Sequence, residues 1–158
     1  MGKFLERIDL ILRKIVACTM GLMLGVIFFQ VVNRYIFHHT FGFTEELARY
    51  LFVWSVFLGL PIVSREGAHM VVGIFTSRLK GISQFVFQVL AFSVSILFLG
   101  LIVVYGIQMI NMMTFQHSPG LGIQMSWVYL ALPIGAGIMI LDILEKLVSL
   151  IKTRSTYF

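Results

Sequence analysis

From Gly81 to Leu141 the sequence runs for 61 consecutive residues without an Asp, Glu, Lys or Arg. A soluble domain spreads charge over its surface, at about a quarter of all residues, and no soluble surface can be built from such a stretch. Over the full 158 residues 59% are hydrophobic and only 12% charged. This composition excludes a cytosolic globular enzyme and a disordered tail, and it reads as an integral membrane protein. A helix needs roughly 20 predominantly apolar residues to cross a hydrocarbon core of about 30 Å. The apolar runs supply four such segments, and the pieces between them are too short for a soluble domain. Residues 1–158 therefore read as a single all-α membrane domain.

The expected spans are 15–37, 47–63, 82–113 and 127–148. The third is long enough to require tilt or protrusion. Pro133 is placed to bend the fourth, and His117-Ser118-Pro119-Gly120-Leu121-Gly122 reads as the break between the last two. Basic residues cluster before the first span (Lys3, Arg7, Arg13, Lys14), between the second and third (Arg65, Arg78, Lys80) and after the fourth (Lys146, Lys152, Arg154). The opposite side carries only Arg34 and Arg49, at helix ends. By the positive-inside rule both termini are expected in the cytoplasm. The net charge of +5 thus reads as a topology signal next to lipid headgroups, not as a nucleic-acid surface. One cysteine, Cys18, excludes an internal disulfide and a cysteine-based metal cluster.

Two segments have the spacing of short amphipathic helices at the membrane surface. In Lys3 to Lys14, apolar Phe4, Ile8, Ile11 and Leu12 face away from the basic residues. In the second, His69, Gly73, Thr76, Ser77 and Lys80 oppose Val71, Ile74, Phe75 and Leu79. A solvated loop fits the same residues.

Transport sites usually place ionisable groups at membrane depth, and the middle of every expected span is uncharged. Asp142, Glu145 and Lys146 read as a solvated helix end. The densest polar cluster is Thr44-Glu45-Glu46 with Arg49. Thr44 can cap a helix whose first turn favours the two acids, and Glu45 and Arg49 stand at i and i+4 in the favourable order. The same cluster can also serve as a charged collar that meets another subunit. Arg34, one turn beyond Gln30 and beside Asn33, can reach headgroups or pair with Glu45 or Glu46. On the other side Arg65-Glu66-Gly67-Ala68-His69 closes the second span, with Gly67 as a helix stop. Gly21 and Gly25 form a GxxxG contact motif on the first span. No histidine lies mid-span, which leaves little for a haem anchor: His38, His39 and His117 share one side and His69 the other. The expectation is no catalytic residue, no metal site and no cofactor.

The string Gln30-Val31-Val32-Asn33-Arg34-Tyr35, then Phe43-Thr44-Glu45-Glu46-Leu47-Ala48-Arg49-Tyr50-Leu51-Phe52-Val53-Trp54, Gly59, Arg65-Glu66-Gly67-Ala68-His69 and Pro133-Ile134-Gly135 resembles the small, Q-type membrane subunit of TRAP (tripartite ATP-independent periplasmic) transporters. The likeness spans nearly the whole chain. It departs at Val72-Gly73, where the family often carries an acid. The resemblance implies a bacterial inner-membrane complex in which a periplasmic binding protein captures an organic anion, such as a C4-dicarboxylate or a sialic acid. A large M-type subunit would move it inward on a sodium gradient. The small subunit would scaffold and anchor that large partner, hold no sodium or substrate, and help dock the binding protein. It would use Arg34, Glu45, Glu46, Arg49, Trp54, Arg65 and His69 as structural or interface residues, with Gly21, Gly25, Gln30 and Asn33 as contact candidates. The competing readings are a self-contained four-helix transporter and a haem or quinone anchor.

Overall fold

The computed structural model describes the backbone of residues 2–38, 41–76 and 82–155 and the side chains of residues 7–38, 41–65, 83 and 85–149. Among the described residues the regular structure is helical: α1 (Gly2–Ile36), α2 (Gly42–Thr76), α3 (Ile82–Met112), α4 (Met125–Tyr129) and α5 (Ala131–Ser155). Among the described residues, four stretches are long and apolar enough to cross a membrane: Arg7–Ile36, Gly42–Arg65, Phe85–Met112 and Met125–Ser149. Helices suit that environment because every backbone hydrogen bond closes within the segment. The Glu46 contacts put the start of α2 and residues 113–124 at one end of the helix row, and the Arg65–Asp142 pair puts the later parts of α2 and α5 at the other.

The helices are longer than the apolar runs suggest, for local reasons. Nothing between Lys14 and Ile15 breaks a helix, so the basic amphipathic segment is the first part of α1 and not a separate surface helix. Asp9 and Arg13 pair within it at 2.8 Å, one turn apart. At its other end Phe37 N–H donates to Asn33 O (3.1 Å) and His38 turns left-handed at φ 54°, which ends the helix. Gly67 does not stop α2, which continues to Thr76. Mid-helix glycine costs about 1 kcal/mol relative to alanine, too little to break a helix. The second amphipathic stripe therefore begins as a continuation of α2; Ser77 and Lys80 lie outside the described residues, as does His39. Thr44 is not the N-cap. The helix starts at Gly42, so Thr44 sits in the first turn and its hydroxyl donates back to Phe41 O at 2.7 Å.

The fourth span keeps a helical path through Leu130 but loses one hydrogen bond at its proline. Leu130 separates α4 from α5, three residues ahead of Pro133. Pro133 has no N–H to offer Tyr129 O, and its ring crowds that carbonyl. The ladder skips that one bond and resumes at once, with Ile134 N–H reaching Leu130 O at 3.3 Å.

Packing orders the spans in a row: α1 against α2, α2 against α5, α5 against α3, with α4 resting mainly on α3. Two glycines let the inner helices approach. A Cβ on Gly135 of α5 would overlap the Phe57 carbonyl of α2, whose carbon would lie 2.8 Å away. Phe57 O is the acceptor that Pro61, four residues on and fully buried, cannot serve. The proline frees a carbonyl and the glycine brings a Cα–H to it, a weak but favourable contact. The next seam repeats the pairing, since a Cβ on Gly106 of α3 would stand 3.1 Å from Pro133 Cδ. Leu99, Ala136 and Ile143 fill the space between α3 and α5. Outward-facing Leu, Ile, Val and Phe side chains cover the remaining faces, as a lipid-embedded surface requires.

Candidate functional site

Among the described residues, polar contacts from α2 to other parts of the chain occur at three levels. At the end that carries the 113–124 connection, Glu46 reaches the loop before α4. Its Oε2 accepts from the Ser118 hydroxyl, from Gly120 N–H (3.0 Å) and from Leu121 N–H (3.1 Å). The loop is folded to present those groups: Ser118 N–H donates to Ile123 O, Gly122 N–H to Ser118 O and Met125 N–H to Gln116 O, each at 2.9 Å. Gly122 adopts φ +67°, where a side chain is strained. Tyr50 Oη, one turn along α2, donates to Met125 Sδ at 3.5 Å.

Glu45 forms the local pair with Arg49, at 3.0 Å and exposed on both sides. Such pairs contribute about 0.5 kcal/mol or less. Arg34 is exposed and pairs with neither glutamate, both of which are engaged elsewhere. Asn33 Nδ2 donates to Phe29 O (3.0 Å) on its own helix. Gln30 and Trp54 are half-buried. Gly21 and Gly25 face outward, with nothing within 4 Å of where a Cβ would stand, so the GxxxG face makes no contact among the described residues. The side chain of His69 lies outside the described residues.

At the middle level, Ser55 of α2 donates to Thr19 Oγ1 of α1 at 2.9 Å. At the far end, Arg65 Nε stands 2.6 Å from Asp142 Oδ1, and Lys146 Nζ stands 3.0 Å from Oδ2 while donating to Ser64 O at 2.8 Å. Asp142 is only 3% exposed, so it is a buried anion between two cations and not part of a solvated helix end. The reason is orientation: α5 turns this side toward α2, where Arg65 meets it. An ionisable group at such depth survives only when paired. The i, i+4 spacing of Asp142 and Lys146 was visible in the sequence. Arg65, 77 positions away, was not, and neither was Ser118 opposite Glu46.

The description "tripartite ATP-independent periplasmic transporters, DctQ component" belongs to a family model that matches residues 23–153. The chain belongs to this family. DctQ proteins are transporter components, so this is a small TRAP permease subunit and not an enzyme. The matched stretch contains Glu46, Ser55, Arg65, Ser118 and Asp142, the residues that join its helices. Among its relatives, the sialic acid TRAP transporter small permease protein SiaQ of Vibrio cholerae is 30% identical over 134 residues, covering 84% of this chain and 77% of that protein. The C4-dicarboxylate TRAP transporter small permease protein DctQ of Rhodobacter capsulatus is 31% identical over 103 residues, 64% of this chain and 45% of its own. A third, the sialic acid TRAP transporter permease protein SiaT of Haemophilus influenzae, is 27% identical over 137 residues that cover 84% of this chain but 22% of the longer protein.

Proposed function

We propose that this subunit is the fixed scaffold of a three-part importer of an organic anion in a bacterial inner membrane. Its termini face the cytoplasm, it packs against a large M-type subunit, and a periplasmic binding protein delivers the carboxylate substrate to the pair. Sodium coupling and the substrate path belong to the large partner. The observation that carries this reading is the SiaT match: a DctQ-like region occupies only 22% of a TRAP permease chain, so the small unit can be built into the same polypeptide as a much larger membrane part. Helix placement supports it. An elevator-type carrier slides one part past another, and the stationary part must resist being dragged through lipid. A row of four spans with outward apolar faces widens such a part. Relatives named for sialic acid and for C4-dicarboxylate leave the choice of anion to the other two components.

Reconstitution tests this. Liposomes holding this chain and its large partner, supplied with the binding protein and an inward sodium gradient, should accumulate the anion, and omission of any one component should abolish uptake. Uptake by this chain alone would replace the scaffold reading with a self-contained transporter.

A further inference from the structure

The turn at residues 118–121 aims three donors at one point: the Ser118 hydroxyl and the N–H groups of Gly120 and Leu121. The loop's own frame is built mainly from other groups, namely Ser118 N–H, Gly122 N–H and Met125 N–H; the Ser118 hydroxyl and Gly120 N–H point to the ligand, and Leu121 N–H is shared between it and Ser118 Oγ. Ser118 is 3% exposed, and its Oγ also accepts from Leu121 N–H at 3.2 Å, which fixes the hydroxyl in place. Gly120 N–H lies 3.1 Å from Glu46 Oε1 and 3.0 Å from Oε2, a forked approach to both oxygens. A Cβ on Gly120 would come within 2.9 Å of that carboxylate and 3.2 Å of the Gly42 backbone, so glycine gives the carboxylate its close approach. Converging backbone N–H groups form a concave anion site whose donors no side-chain substitution removes. The anion comes from α2, at a sequence distance of 74 residues from Gly120, and Arg49 is turned to Glu45 instead.

We propose that residues 118–121 are a carboxylate receptor with Glu46 as its resident ligand, and that a small carboxylate from solution takes the receptor when the glutamate side chain is removed. The resident glutamate latches the loop before α4 to the start of α2. The receptor is a property of the loop, separable from the helix that fills it.

Hydrogen exchange at residues 118–121 tests the proposal, on the full chain in mild detergent with whatever co-purifies. Glu46→Gly should speed exchange of the Gly120 and Leu121 amides by roughly tenfold or more, since charge-assisted bonds are lost. Sodium formate should restore most of the protection, and sodium chloride at equal ionic strength should not. Glu46→Gln fills the cradle without charge, so its exchange should be intermediate and indifferent to formate. Ser118→Ala keeps Glu46 in place and removes one donor, which should speed Leu121 exchange by roughly threefold even if the glycine variant does not accumulate. Wild-type protection in Glu46→Gly, equal effects of formate and chloride, or unchanged exchange in Ser118→Ala would each overturn the proposal.

Discussion

Helices α1 and α2 are each 35 residues long, yet they do opposite work. The most apolar window of α1 has none of its residues buried, while α2 has 17% and carries Pro61 besides. α2 holds the loop through Glu46, α1 through Ser55 and α5 through Arg65 and the Phe57 carbonyl. α1 is tied to α2 by the Thr19–Ser55 hydrogen bond. Its GxxxG face is open. In lipid, tails are as apolar as leucine, so helices associate through close packing and hydrogen bonds. By that measure α2 is the internal hub, while α1 packs chiefly against α2.

The largest effect on this contrast should come from Asp142→Ala, which removes the carboxylate that Arg65 and Lys146 share at a buried seam. Removing one partner of a buried pair costs about 3 kcal/mol or more, readable as lost stability in detergent unfolding. The double change Arg65→Met with Asp142→Leu should recover most of it, because apolar residues of similar size replace such pairs well. Gly135→Ala comes next. It drives a methyl into the Phe57 backbone and should cost about 2 kcal/mol, measured the same way. Ser55→Ala should cost only about 0.6 kcal/mol, the typical worth of one interhelical hydrogen bond in a membrane. If Ser55→Ala destabilised the chain as much as Asp142→Ala, the ranking of the two seams would be wrong. Smallest for the isolated chain is Gly21→Leu with Gly25→Leu, where unfolding should be unchanged because both sites are open. The same pair of changes should reduce co-purification of the large partner. Intact co-purification would move the contact to another face.

The sequence made the four spans legible because length and apolarity alone decide whether a segment can cross a bilayer. The Glu45–Arg49 pair was equally legible, since i and i+4 on a helix are neighbours whatever surrounds them. The end of α2 was not. Arg65-Glu66-Gly67 has the chemistry of a helix stop, but no positive-φ turn or following proline enforces one. Asp142 was misread for a related reason: an acid beside Glu145 and Lys146 looks solvated until the neighbouring helix is known. The Glu46 receptor and the Arg65 pair join positions more than 70 residues apart. Spacing within one helix carries no information about which helix stands beside it.

Co-purification from native membranes in mild detergent, with stoichiometry, tests the scaffold account most directly. One copy of a many-span TRAP permease per copy of this chain is the predicted result. Recovery of this chain alone, or only with copies of itself, would contradict it.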